Sequence, residues 1–194
     1  MTHEVSQEEL QQRLRQARRG SSPAAMALWE RFSPRMVSLA REMSGASASS
    51  DIVQSVFVAL LQMPETRAKG VQDVAAYLVV ATRNACLNAN RSRARREVIV
   101  DAISREAGGR SRDERDSTNA DELHDAMSRL ADEHREVVLL KHVGGLTFDQ
   151  MATSLGESRG TLASRYKRAL EELQGMMRTS GDGAKRLVRQ EVQR

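Results

Sequence analysis

Hydrophobic positions recur every three to four residues along most of the chain, and this period predicts an all-α fold. In the N-terminal half the pattern predicts helix breaks at Pro34, Gly45 and Pro64, followed by a long helix over about 74–95. After residue 100 the period is lost, and charges of both signs alternate with Gly, Ser and Asn. Beyond this segment four shorter helices are predicted, over 122–130, 133–143, 148–155 and 159–173.

The loss of periodicity divides the chain into two small helical domains joined by a linker. We expect a first domain over 8–96, a flexible linker over 97–121, a second domain over 122–176 and a basic, disordered tail over 177–194. The competing interpretation of the linker is a charged surface helix.

The segment 147–173 has the pattern of a helix-turn-helix. Thr147 and Gln150 fit a capping box at the start of a short helix, and Gly156 fits its end. Ser158 then fits the cap of a second helix. Two short helices joined by a turn of this length are typical of DNA-binding proteins. The short helix has one apolar stripe, formed by Phe148, Met151, Ala152 and Leu155.

The second helix of this pair has an apolar face and an opposite face that is small, hydroxylated and basic. No acid occurs between Ser158 and Arg168, and such a face can enter the major groove of DNA. A helix N-terminus with hydroxyl side chains can also hold a backbone phosphate. The alternative is a solvated basic face on an ordinary helical hairpin. The candidate DNA-binding residues are Ser158, Arg159, Thr161, Ser164, Lys167 and Arg168.

Two segments of the first domain stand out. The helix that begins at Asp51 is apolar around more than half its circumference, so it is either the centre of a bundle or a docking surface for another protein. Residues 83–96 contain five arginines and no acid, and they could follow a phosphate backbone. Asn84 and Asn88 lie one turn apart and suit the base edges of an opened strand. The alternative for the arginines is a solvated helix end that complements the helix dipole.

Composition limits the other classes of function. The chain has 194 residues and a formal net charge of +4. Its one cysteine, Cys86, excludes an intramolecular disulfide, and it is either a packed side chain or a thiol with a lowered pKa inside an arginine-rich helix. The four histidines lack metal-ligand spacing, and no P-loop or G-x-S-x-G motif occurs, so we expect neither an enzyme nor a bound cofactor or metal. No apolar run approaches the roughly 20 residues that span a bilayer, and we expect a cytoplasmic protein without a secretory signal.

Three segments together resemble the extracytoplasmic-function (ECF) sigma factors, a short branch of the sigma-70-type family. They are DIVQSVF at 51–57, YLVVATRNACLNANR at 77–91 and the segment from Leu130 to Leu173. Each is moderately specific, but their order and spacing together are specific to the family. The resemblance covers about 10–173 except the linker, and it implies a promoter-specificity subunit of RNA polymerase with no catalytic chemistry of its own.

The resemblance also implies roles for particular residues. The helix with Asp51, Gln54 and Phe57 would dock on the clamp helices of the β′ subunit of core RNA polymerase. The loop 64–73 would form part of a pocket for the −10 element of promoter DNA. The second domain would sit on the β flap and read the −35 element with the six residues named above. The residues that would contact the −10 strand are Asn84, Asn88, Arg91 and Arg95.

Two further points follow from the same resemblance. An anti-sigma factor is a common partner in this family. The alternative function is a stand-alone helix-turn-helix transcriptional regulator, which would act at an operator without joining core polymerase.

Overall fold

The computed structural model describes residues 6–104 and 119–180, and every regular element within these ranges is an α-helix. The all-α prediction is therefore confirmed. Among the described residues, no helix is both long and apolar enough to cross a bilayer. The helices are α1 (Gln7–Arg18), α2 (Ser22–Ser44), α3 (Ala46–Gln62), α4 (Glu65–Ala68), α5 (Val74–Ser104), α6 (Asn119–Arg129), α7 (Asp132–His142), α8 (Phe148–Leu155) and α9 (Arg159–Ser180).

Serine hydroxyls cap the first two helices. The Ser6 side chain accepts a hydrogen bond from the backbone N–H of Glu9 at 3.2 Å, which satisfies one of the free N–H groups at the start of α1. Ser21 caps α2 in the same way. Because Pro23 then lies in the first turn, its missing N–H costs nothing there.

Helix α2 runs through Pro34, where the sequence pattern predicts a kink or a fresh helix start. A proline inside a helix leaves the carbonyl four residues earlier, that of Glu30, without its backbone donor. Pro34 and Glu30 are both exposed, so water can reach that carbonyl. The Ser38 hydroxyl donates to the Pro34 carbonyl at 3.0 Å. The proline is tolerated because it faces solvent, a property that periodicity alone did not reveal.

A first core lies between α1, α2, α3 and the first turns of α5. Leu28, Leu60 and Leu78 are completely buried there. Phe57 is 6% exposed, and its ring packs edge-on against Trp29 with the ring centroids 5.2 Å apart. Most of the apolar surface of α3 therefore belongs to the core. Direct docking on another protein requires an exposed side chain, and Phe57 is buried. The buried apolar residues of α3 are Ile52, Val53, Val56, Phe57 and Leu60.

A second core joins α6, α7, α8 and α9, which form the C-terminal half of the molecule, and it extends onto α2 and α5 of the N-terminal half, α1–α5. Leu39 of α2 and Val79 of α5 belong to this second core and are 0% and 2% exposed. Gly144 makes the close approach feasible, because a Cβ at this position would lie 2.8 Å from Val79 Cγ1 and 2.6 Å from the Leu140 carbonyl oxygen. The two halves are packed together here, whereas the sequence pattern predicts two loosely strung domains.

Polar contacts reinforce this packing. Gln150 of α8 donates to the Asp73 carboxylate at 2.6 Å. Arg83 of α5 forms an ion pair with Glu136 of α7, in which each side chain is 22% exposed. Arg135 of α7 donates to the backbone carbonyl of Glu42 in α2. These contacts tie α7 and α8 to both α2 and α5.

Several helices extend beyond their predicted bounds. Helix α3 begins at Ala46, five residues before the predicted start at Asp51. Helix α5 continues to Ser104, eight residues into the predicted linker 97–121, and α6 begins at Asn119 within it. Helix α9 continues to Ser180 rather than ending at about residue 173, so the first residues of the predicted tail are helical. The rest of the linker and of the tail 177–194 lies outside the described residues.

Candidate functional surfaces

The helix-turn-helix forms as the sequence pattern predicts. The Thr147 side chain accepts from the Gln150 backbone N–H at 3.2 Å, and the Gln150 side chain accepts from the Thr147 N–H at 2.8 Å. Gly156 ends α8 with a left-handed backbone, φ 71°. Met151 of α8 and Leu162 of α9 are 0% and 1% exposed, so they hold the two helices together. This packing leaves the opposite face of α9 uncovered.

The six residues predicted to contact DNA on α9 are all exposed: Ser158, Arg159, Thr161, Ser164, Lys167 and Arg168. The Ser158 hydroxyl caps α9 by accepting from the Thr161 N–H at 3.0 Å, and the two hydroxyl oxygens lie 2.8 Å apart. Since three- and four-residue steps return to one side of a helix, Thr161, Ser164 and Arg168 share one face. The structure therefore presents a hydroxylated and basic face at the N-terminal half of α9.

The basic side chains of α9 differ in how firmly their ion pairs hold them. Lys167 lies 3.9 Å from Glu171, and both side chains are more than half exposed, so this pair is weak. Arg165, by contrast, contacts Glu157 at 2.6 Å and Glu133 at 3.1 Å. The hydrogen bond with Glu157 raises the pKa of Arg165 above its ordinary value. Arg165 thus fastens α9 to α7 and to the turn, whereas Lys167 can exchange its partner for a phosphate.

A second polar face lies on α5. The side chains of Asn84, Asn88, Arg91 and Arg95 are all exposed. They follow one another at four, three and four residues, so they line one face over about 16 Å. The side-chain oxygen of Asn84, Oδ1, accepts a hydrogen bond from the Arg83 guanidinium at 2.8 Å. Because Arg83 is itself paired with Glu136, it orients Asn84 rather than adding to the exposed arginines.

The exposed stripe of α3 is narrower than its apolar composition suggests. Asp51 and Gln54 are exposed, and Val58, one turn further, is 43% exposed. Sequence reasoning missed Val58, although its spacing of four residues from Gln54 places it on the same stripe. A large apolar side chain between polar neighbours suits a protein contact. Of the three predicted docking residues, Asp51 and Gln54 lie in this stripe, and Phe57 supports it from below.

Cys86 is a packed side chain. It is completely buried, and desolvation raises the pKa of its thiol above the ordinary value. The suggestion of a lowered pKa is therefore wrong, because the sulfur lies in the core, where burial disfavours the charged thiolate. Among the described residues, no group of three or more His, Cys, Asp or Glu side chains is placed to hold a metal ion.

Comparison with known proteins identifies the family. The family model for sigma-70 region 2 matches residues 28–96, and the model for sigma-70 region 4 matches residues 120–173. The ECF RNA polymerase sigma factor SigL of Mycobacterium tuberculosis is 30% identical over 132 residues, which cover 66% of this chain and 73% of SigL. The chain belongs to the ECF sigma factors of the sigma-70 family. The sigma factor CarQ of Myxococcus xanthus is 28% identical over 166 residues, 82% of this chain and 92% of CarQ.

Solved structures have the same fold as this ECF sigma factor. CnrH, in complex with the cytosolic domain of CnrY, matches with a TM-score of 0.61 and 20% identity over 88% of this chain and 98% of CnrH. RpoE of Bartonella quintana, in complex with the anti-sigma factor NepR, matches with a TM-score of 0.59 and 21% identity over 79% and 96% of the two chains.

This ECF sigma factor also has a helix in front of the region 2 match. Helix α1 ends before residue 28, yet its polar face contacts the segment 64–73. The sequence pattern predicts a loop over this segment, but its first part forms the short helix α4, so the loop 64–73 is a one-turn helix followed by irregular backbone. Sequence reasoning missed these contacts because they join residues 45 to 61 positions apart. At the far end of the loop Asp73 caps α5, accepting from the Ala76 N–H at 2.9 Å.

Proposed function

We propose that this sigma factor brings core RNA polymerase to promoters through three separate surfaces. In this proposal residues 8–96 bind the core enzyme and the −10 element, and residues 122–176 read the −35 element. The observation that carries it is the face of α9, where hydroxyl and basic side chains are exposed beside a capped helix N-terminus. Such a face supports binding in the major groove.

Different residues of the α9 face would contact the phosphates and the bases of the −35 element. Ser158, Arg159 and Thr161 at the N-terminus would hold a phosphate of the −35 element, because free N–H groups and the helix dipole favour an anion there. Ser164, Lys167 and Arg168 would reach base edges one turn or two turns further along. Arginine suits guanine best, because its guanidinium can donate to two acceptors at once.

The α5 face would hold the opened strand of the −10 element. Asn84 and Asn88 have both donors and acceptors for the edges of unpaired bases, while Arg91 and Arg95 would follow the phosphates. The loop 64–73, which leads directly into α5, would complete this surface. Its exposed tip contains Arg67 and Lys69.

The stripe of Asp51, Gln54 and Val58 on α3 would dock on the β′ clamp helices of the polymerase. The polymerase supplies the chemistry of RNA synthesis, so the sigma factor needs no catalytic group, cofactor or metal. Its place of action would be the cytoplasm, where the polymerase works.

The packed arrangement of the two halves requires a rearrangement before both promoter elements can be bound. The −10 and −35 elements lie about 25 base pairs apart, or about 85 Å at 3.4 Å per base pair. Gln150 of α8 and Asp73 beside α5 are in direct contact, so the two reading faces cannot be that far apart in this structure. We propose that binding to core polymerase separates the halves and fixes their distance, after which the second DNA contact becomes intramolecular.

CnrH and RpoE suggest a further partner, because CnrH was solved with the cytosolic domain of CnrY and RpoE with the anti-sigma factor NepR. We propose that this chain likewise binds an anti-sigma factor that excludes core polymerase. Displacement of the chain from reconstituted holoenzyme by a purified candidate would support this, and a candidate that binds without displacing it would contradict it.

Run-off transcription tests the central proposal. Purified chain and sigma-free core polymerase are mixed with a library of random upstream sequences, and the transcripts are sequenced. We expect defined start points and enrichment of two sequence elements separated by a constant distance. A stand-alone helix-turn-helix regulator would bind an operator without yielding new starts, and absence of initiated RNA from every template would contradict the proposal.

A further inference from the structure

Helix α1 is fastened to both ends of the loop 64–73. The Gln11 side-chain amide donates to the backbone carbonyl of Gln72 at 2.9 Å and to that of Val71 at 3.4 Å. At the other end Arg18 donates to the backbone carbonyl of Met63 and forms an ion pair with Glu65 at 2.9 Å. A single helix thus determines where the loop begins and where it ends.

The spacing on α1 makes this double contact feasible. Gln11 and Arg18 are seven residues apart, which is two helical turns or about 10.5 Å along one face. The neighbouring face of α1 is anchored in the first core by Leu10 and Leu14, each 3% exposed. Because α1 is itself fixed, the loop ends are held against the core rather than against another mobile segment.

The two contacts differ in strength and exposure. The Arg18 side chain is 11% exposed, and a buried guanidinium held by a backbone carbonyl and a carboxylate is costly to disturb. Its hydrogen bond lowers the pKa of the Glu65 carboxyl below the ordinary value, which keeps this partner charged. Gln11 lies nearer the surface and makes neutral hydrogen bonds, so its loss should loosen the loop without unfolding the chain.

The middle of the segment 64–73 stays exposed while its ends are held. Thr66 and Arg67 lie in the short helix α4, Lys69 follows it, and all three side chains are exposed. This exposed middle is called the tip of the loop. We propose that Gln11 and Arg18 are positioning residues that hold the loop 64–73 in one conformation, so that this tip meets the −10 strand already ordered. This inference rests on the proposed role of the loop at the −10 element. Ordering a loop before binding removes an entropy cost from the complex. A loop held in one conformation also cannot adjust its contacts to fit a mismatched base, so the choice among sequences becomes sharper.

Holoenzyme reconstituted with the Gln11→Glu variant tests the inference. The carboxylate cannot donate to the carbonyls of Gln72 and Val71, so the C-terminal end of the loop is released. We expect the preference for the best −10 sequence over single-base variants to fall about two- to tenfold, the effect of one or two lost hydrogen bonds. Preference among −35 sequences, affinity for core polymerase and the thermal unfolding midpoint should stay unchanged. Backbone amides of residues 63–73 should exchange hydrogen faster.

The matched control is Gln12→Glu, which makes the same change in charge at the exposed neighbouring position. Arg18→Lys tests the other end of the loop, because lysine cannot hold the carbonyl and the carboxylate in the same fork geometry. Arg15→Lys on the exposed side of α1 is its control. If Gln11→Glu speeds hydrogen exchange in the loop but leaves −10 preference intact, the inference is wrong.

A separate variant distinguishes failure of this inference from failure of the loop's proposed role. Replacing Arg67 and Lys69 together by Ala removes the tip charges and leaves the contacts with α1 intact. If this variant transcribes every −10 sequence as the parent chain does, the loop does not contact the −10 strand, and its proposed role there is wrong. If it is impaired while Gln11→Glu is not, only the positioning role is overturned.

Discussion

At the scale of single residues, burial distinguishes a side chain that supports the fold from a similar side chain that is available to contact DNA. Arg165 and Arg168 lie on the same helix three residues apart, but Arg165 is 27% exposed and paired with two glutamates, while Arg168 faces solvent. The sequence pattern put Arg168 on the DNA-facing side but assigned Arg165 no role. The contacts of Arg165 depend on Glu133 in another helix, which no periodicity within α9 could have predicted.

Replacing Arg168 by Ala should therefore weaken reading of the −35 element without destabilising the fold. A bidentate contact to guanine contributes about 1–3 kcal/mol of discrimination, which is roughly 5- to 150-fold in relative transcription. Run-off transcription with holoenzyme on single-base −35 variants measures this ratio. Arg129→Ala, an exposed arginine on α6, is the control. Equal ratios for Arg168→Ala and the parent chain at every −35 position would remove Arg168 from the reading face.

Burial of Cys86 gives a second prediction at this scale. Since its thiol pKa is raised, the native chain should react with iodoacetamide far more slowly than the chain in denaturant, as followed by mass spectrometry. The raised pKa also favours the folded state fully below the ordinary thiol pKa of about 8.5, and this contribution is lost as the pH rises through the higher native value. Rapid labelling of the native chain at neutral pH would contradict the buried position.

At the scale of helices, the sequence predicted what depends on neighbouring residues. The capping box of Thr147 and Gln150 and the left-handed Gly156 are local, and the structure has both. Pro34 and Phe57 were harder, because the first is tolerated through exposure and the second is buried by α2. The contacts of Gln11 and Arg18 with the loop 64–73 are long-range, and nothing in the spacing of α1 indicates them.

Helix α3 offers a direct contrast between the proposed docking stripe and a core face. Replacing Asp51 and Gln54 together by Ala should weaken assembly with core polymerase but leave thermal unfolding nearly unchanged, because both side chains are exposed. Replacing Phe57 by Ala should instead lower the free energy of unfolding by about 3–5 kcal/mol, since a buried aromatic ring is lost. Co-purification with β′ and thermal denaturation measure the two effects. Undiminished co-purification of the double variant would contradict docking through this stripe.

At the scale of the whole molecule, the two halves share a hydrophobic core and are not independent domains joined only by a flexible linker. Leu39 and Val79 are buried by the second half, and Gly144 allows that half to approach closely. In the proposed rearrangement this apolar contact is broken, or covered by polymerase, when the two promoter elements are bound together. The cost of exposing two such side chains is a few kcal/mol, which the binding energy of a large polymerase interface can offset.

The ion pair between Arg83 and Glu136 is the part of this contact that can be tested by reversal of charge. Arg83→Glu or Glu136→Arg alone places like charges together and should shift the free chain from the packed towards the separated arrangement. The double variant restores the attraction and should recover the packed arrangement, with a coupling of about 1 kcal/mol, roughly fivefold in the equilibrium, for a partly exposed pair. Fluorescence energy transfer between dyes on α1 and α9 measures the equilibrium.

Reversal of the pair Asp125 and Arg129 is the matched control, because both residues lie on α6 and their ion pair does not join the two halves. Higher salt should favour separation in the parent chain and reduce the difference between single and double variants, since the pair is partly solvated. If the double variant is no more packed than the worse single variant, the ion pair does not hold the halves together. The apolar contact around Gly144 would then be the main restraint, and replacing Gly144 by Val should separate the halves where charge reversal did not.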